Sequence, residues 1–432
     1  MTVDERRLPH SASEPELVAA LDRFGLDFIA AREGAAAVLE LAERRPDCGL
    51  AQVYAALLHF YVQSTVHAAA HVRPLLARAA ALPLHRRERL LAEAVGLATG
   101  GDYTAAAARC EAIAAEWPGD VAAAKFGEFM FYLAPDYARH RRYMEGVAAA
   151  NAGNSHVEAM HAFALEMAGE YGRAEQVAEA ALAHDADTPW AHHALAHLCL
   201  NRGRLDDGRA VLRRAAPSWD GHVRSMQCHN WWHLALFDVA ALDLDAARAI
   251  FGQRIWGFVP DDPQEHIDAI SLLWRLELAG ADAGDAWAPI AAAIAPRAGD
   301  PIFPFLSVHY GYALARAGEH QAAAAALKAL AAYAARCTGD AARAWQVGLP
   351  LVQGVVAFAA GECGRAATLL EPLLPDMPRA GGSDAQNDLF RQTCLAAWLA
   401  TGRRAAARAF LAQRIRDRPP LPLEQRWQGL AG

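Results

Sequence analysis

Apolar residues recur along this chain at helical spacing, and the recurrence is broken at regular intervals by a glycine and a short polar turn. The stretch from His161 to Ala174 (HAFALEMAGEYGRA) shows the unit, and the stretch from Leu195 to Gly208 (LAHLCLNRGRLDDG) repeats it. Each reads as an apolar helix running into a glycine, then a polar turn, then a second helix opened by a small residue. Gly169 and Gly203 are 34 residues apart. Glycine can end the first helix in a left-handed conformation, and the small residue lets the second helix pack closely on the first. The same grammar recurs at Gly101 with Ala106 and Pro118, at Gly318 with Ala323, at Gly361 with Ala366 and Pro378, and at Gly402 with Ala407. Weaker copies sit at Leu242 with Ala247 and at Gly280. Length over period predicts an all-α solenoid of roughly 11 to 12 helix pairs. Strictly alternating apolar runs that would read as strands are missing. The domain reading is a flexible N-terminus over 1–15 and one solenoid over 16–432, richest in motifs over 156–310. Pro260 to Pro263 and Pro375 to Asp384 read as looser connections.

Composition narrows the classes. The 432 residues include 41 Lys and Arg against 49 Asp and Glu, a net charge of −8. Mild acidity gives no support to a phosphate-backbone binder, so nucleic acid is excluded from the expected partners. Met1 to Glu14 lacks the apolar core of a signal peptide, and no apolar run approaches a membrane span. A cytoplasmic protein without membrane contact is expected. Seven cysteines with no C-x-x-C pair fit small buried residues in a reduced compartment. Phosphate-binding glycine loops and a G-x-S-x-G elbow are missing, which leaves nucleotide-dependent and serine-hydrolase chemistry unsupported. Arg403, Arg404, Arg408, Arg414, Arg416 and Arg418 read as the solvated face of a capping repeat.

The histidines are the compositional oddity. Nine of the 18 fall between His156 and His233. Six of these nine lie in the first three of four distinctive stretches: Met160 to Glu166 (MHAFALE) with Gly172 to Glu175 (GRAE); Trp190 to His197 (WAHHALAH); Cys228 to Phe237 (CHNWWHLALF); and Ile267 to Gly280 (IDAISLLWRLELAG). On these stretches the chain resembles the tetratricopeptide repeat protein 38 family, with a likeness that covers most of the chain from about residue 20. It departs from the family pattern where Ser307 replaces an acidic residue two positions before His309, and where Met167 replaces a second Glu. The resemblance implies a helical-repeat fold and a shared polar pocket, with no agreed reaction and no cofactor named.

In tetratricopeptide units the first helix lines the concave surface through its positions 2, 5, 9, 12 and 13. With the turn glycine at position 15, Trp190, His193 and His197 take positions 2, 5 and 9. His156, Phe163 and Glu166 take positions 2, 9 and 12 of the preceding repeat. His229 and Trp232 take positions 2 and 5 of the following one, with His233 one step off. Trp274 falls at position 9 of the next, with Asp268 and Arg275 beside the stripe. His193/His197 and His229/His233 are i,i+4 pairs, a spacing that can chelate a metal given one or two further ligands. The alternative for each is a side chain filling a helix–helix seam and bonded to neighbouring carbonyls. Tryptophans 190, 231, 232 and 274 can stack on a ligand or hold a cation, or simply pack, and packing is favoured for Trp231. Arg275 can bind a carboxylate or pair with an adjacent helix. His192 reads as a packing residue, and Cys228 lacks a second motif for thiolate chemistry.

Two functions are expected. In the first, a pocket binds a small polar molecule and can transform it, with His193, His197, His229, His233 and Glu166 as acid/base groups. His156, His161, Trp190, Trp232, Asp268, Trp274, Arg275 and His309 then hold the substrate, and no residue is assigned to a metal. In the second, the groove is a scaffold for a peptide or partner helix. A homo-oligomer stays open in both.

Overall fold

The computed structural model of the protein describes residues 2, 3 and 8–432. It is an all-α helical repeat, with one two-residue ladder, Thr2–Val3 against Pro9–His10, as the sheet among the described residues. The chain packs as two compact units: Met1–Ala194 with Ser218–Val223, and Leu195–Pro217 with Arg224–Gly432.

In the first unit the helices start where a short acidic or amide side chain can accept from an otherwise unsatisfied backbone N–H. Asp102, Asp120 and Asp136 cap Tyr103–Glu116, Val121–Leu133 and Tyr137–Ala150 in this way. Asn154 caps Ser155–Met167 through the amides of His156 and Val157. That helix ends at Gly169, whose φ is +80°. The turn lets Gly169 N donate to Glu166 O and Glu170 N donate to Leu165 O, closing the helix before Tyr171–His184 begins.

The N-terminal stretch expected to be loose to residue 15 is docked from residue 8. Leu8 and His10 are buried. Arg87, itself fully buried, donates to Pro9 O at 3.1 Å and pairs with Asp120. Ser11 N donates to Glu88 Oε1 at 3.1 Å. A buried guanidinium needs several acceptors, and the tail supplies one of them.

In the second unit the same turn grammar recurs. Gly203, φ +71°, lets Gly203 N donate to Leu200 O and Arg204 N donate to Cys199 O. Leu242 makes the matching pair of bonds, to Val239 O and with Asp243 N donating to Asp238 O, although it is not a glycine and sits at φ +63°. The weak copy in the sequence is therefore a full copy in structure, held in a conformation that a leucine side chain disfavours. Arg224–Ala240 runs into this turn, followed by Pro263–Leu278 and Pro304–Arg316, each of the latter two opened by its proline.

Gly208 opens the second helix of its repeat against the ring of Phe237. A Cβ there would stand 2.2 Å from Phe237 Cζ. Gly208→Ala is therefore expected to cost about 1–3 kcal/mol by overpacking. Urea unfolding checks this, and a midpoint equal to wild type would show that the ring moves aside freely.

Candidate functional site

In the first unit, His156, His161, Glu166, Trp190 and His193 lie on Ser155–Met167 and Pro189–Asn201. His193 packs its ring on Phe163 at 5.1 Å and stands edge-on to Trp190 at 6.0 Å. Glu166 is buried. His156 Nδ1 and His161 Nε2 are buried and make no protein hydrogen bond. Burial pulls the His156 imidazole down to about 4 and lowers that of His161.

Trp190 is already occupied. Its Nε1 donates to Ile29 O at 2.9 Å, and Lys125 Nζ lies 3.4 Å from its ring centroid. Lys125 in turn pairs with Glu128. Burial lowers the Lys125 ammonium and raises the Glu128 carboxyl, so both are pushed toward their neutral forms. Neither residue was singled out in the sequence, because both precede the histidine-rich stretch. A signal was present: a Lys and a Glu three apart in an otherwise apolar helix, where charges have no solvent to face.

In the second unit, Arg224–Ala240 and Pro263–Leu278 bring together His229, Trp232, His233 and Asp268, with His197 beside them. His229 Nδ1 lies 3.0 Å from Asp268 Oδ1. Asp268 is fully buried and also accepts from Gln264 Nε2 at 3.1 Å. The charge-assisted arrangement has Nδ1–H donating to Asp268, which directs the lone pair of the neutral ring to Nε2. The imidazole stacks on Trp232 with centroids 5.2 Å apart and planes at 11°. His233 stands 4.8 Å from both the His229 and the Trp232 rings, and His197 is 4.8 Å from His233. Gln264 was missed in the sequence, although it lies one helical turn before Asp268 on the same face.

Two expected ligand-wall residues lie elsewhere in this unit, and a third, Arg275, stands 5.8 Å from the Trp232 ring centroid while facing a separate cavity. Trp274 is fully buried and stacks on Tyr312 with centroids 3.5 Å apart. His309 is buried against Phe305 and Phe390, donates from Nδ1 to Phe305 O at 2.8 Å, and is held down to about 4 by burial. Both belong to an aromatic core. Arg275 donates to Ala385 O at 2.6 Å and lines a cavity with the C-terminal helices.

Two packing expectations hold at the level of contacts. His192 accepts from Trp219 Nε1 at 3.3 Å and donates from Nε2 to Ala186 O at 3.0 Å, which uses both ring nitrogens. Cys228 is buried, and burial pushes its thiol well above the ordinary range, away from thiolate chemistry. The C-terminal arginines are corrected in part. Arg414 and Arg418 are not a solvated face, because both are drawn inward to the buried Glu424 carboxylate.

A tetratricopeptide repeat family model matches residues 165–218. With the helix pairs and glycine turns above, this makes the chain a tetratricopeptide-like helical-repeat protein. Among solved structures it is similar to a monomeric mutant of IFIT1 with Gppp-AAAA, at 12% identity and TM-score 0.44, covering 98% of this chain and 95% of that one. It is also similar to the human IFIT1 dimer with m7Gppp-AAAA, at 13% identity and TM-score 0.41, covering 96% and 95%. The exclusion of nucleic acid as a partner is withdrawn, since these neighbours were solved with it. Net charge is a sum over the whole chain and does not report the charge of a particular cavity. Among the described residues no helix is long and apolar enough to cross a membrane.

Proposed function

We propose that the protein binds a small polar molecule at the His229–Asp268 pair of its second unit and that His229 moves a proton to or from it. A tetratricopeptide-like repeat supports a ligand- or partner-binding role in general. The observation that carries the finer reading is the buried carboxylate set on Nδ1 of a partly exposed imidazole. Asp268 orients the ring through Nδ1, and Trp232 fixes the plane in which it lies. His233 and His197 extend the polar wall. The likeness to the tetratricopeptide repeat protein 38 family, strongest in the Cys228 to Phe237 stretch, supports the same location.

Differential scanning fluorimetry against panels of short amides, amines and polyols tests this reading. At least one class is expected to raise the melting temperature of wild type and to leave His229→Gln unshifted. Asp268→Asn is expected to weaken that ligand by about 1.5–3 kcal/mol, roughly 10- to 150-fold, through loss of a charged hydrogen bond. A shift undiminished in His229→Gln, or no shift with any class, would overturn it.

A further inference from the structure

A separate cavity of about 240 Å³ lies in the second unit, between Pro263–Leu278 and the C-terminal helices. Its wall carries four arginines, Arg275, Arg391, Arg414 and Arg418, against three carboxylates. Two of these carboxylates are spent on two of the arginines. Arg414 grips Asp388 with both terminal nitrogens and donates from Nε to Glu424. Arg418 closes on Glu424 with contacts of 2.7 and 2.8 Å. The third, Asp384, opens the helix Asp384–Ala400, whose first turn contributes to the wall.

Among the described residues, Arg275 and Arg391 form no ion pair of their own and share only the longer-range field of Asp388. Arg275 is only 4% exposed. It has the Ala385 carbonyl as its hydrogen-bond partner, its Nε makes no hydrogen bond, and it forms no ion pair among the described residues. Arg391, half-buried on Asp384–Ala400, likewise forms no ion pair among the described residues. A buried guanidinium without a counter-charge costs several kcal/mol, and natural sites recover that cost by placing an anion beside it. Burial pulls Arg275 down to about 10, with Arg414 acting in the same direction and Asp388 against it, so it is still cationic at neutral pH. The adjoining helix N-terminus adds amide dipoles of the same sign.

We propose that this cavity binds a small organic or inorganic anion, a carboxylate or a phosphate, with Arg275 as the buried counter-charge and Arg391 as the second contact. The volume of about 240 Å³ admits a compact molecule. The site uses neither His229 nor Asp268, but Arg275 lies 5.8 Å from the Trp232 ring that stacks on His229, so Arg391→Gln is the variant that separates the two readings.

The test uses the full chain and three probes, succinate, glycerol phosphate and inorganic phosphate, each compared with chloride at equal ionic strength. At least one is expected to raise the melting temperature and to give a saturable heat in titration calorimetry; which one responds separates carboxylate from phosphate. Arg391→Gln, on a half-exposed position, should fold normally and bind at least tenfold more weakly. Arg275→Met should abolish the response and melt at or above the wild-type temperature without anion, because it removes a buried charge that Asp388, already gripped by Arg414, offsets only in part. Responses equal to chloride for all three probes, or a response retained in both variants, overturn the proposal.

Discussion

Lowering the pH from 7 to 4 is expected to unfold the protein in a steep, cooperative step. Burial holds His156, His192, His266 and His309 down to about 4, and His140 to about 3. An unfolded histidine titrates near 6.5. Between those values the unfolded chain takes up protons that the folded chain refuses, so stability is full above about pH 6.5 and falls as the pH drops toward 4. Each depressed imidazole is worth up to about 3 kcal/mol at the low end of that window, and several together match the whole stability of an ordinary domain. Asp238, Asp262 and Glu128, raised by burial, act in the opposite direction. They are fewer, and their effect does not reverse the sign. Melting temperatures at half-unit pH steps check this, and a flat profile from 7 to 4.5 would contradict it.

Trp274→Ala is expected to cost about 3–5 kcal/mol of folding stability, the range for removing a fully buried tryptophan. The indole lies against Tyr312 at 3.5 Å with planes at 6°, and within 6.0 Å of Phe390 and 6.3 Å of His309. Truncation would open a void between three helices that cannot all collapse into it. Trp274→Phe should cost less, since it keeps a ring and removes an indole N–H that has no hydrogen-bond partner. Urea unfolding followed by circular dichroism measures both. A Trp274→Ala variant as stable as wild type that lost only a ligand response would return this residue to a binding wall.

The contrast between Trp274 and Trp232 shows what the sequence could and could not carry. Both fall on inward positions of the repeat register, and the register alone gives them the same role. What separates them is the identity of their neighbours across the fold, Tyr312 and Phe390 for one and His229 for the other. Those neighbours are set by packing between helices distant in sequence. The glycine turns were legible because their cause is local: a left-handed residue ends a helix wherever it stands. Leu242 was only half legible, since a leucine in that conformation is tolerated for reasons outside its own repeat. The docking of Pro9 on Arg87 and the inward draw of Arg414 and Arg418 were not legible. Charge counts do not say which arginine meets a buried carboxylate.

Lys125 on Trp190 has one more consequence. A cation attached to the same chain is an intramolecular competitor, with an effective concentration in the millimolar range or above for a short tether. Free amines and quaternary ammonium compounds at lower concentrations would have to displace it and leave Glu128 without its counter-ion. The Trp190 face is thus filled from within its own unit.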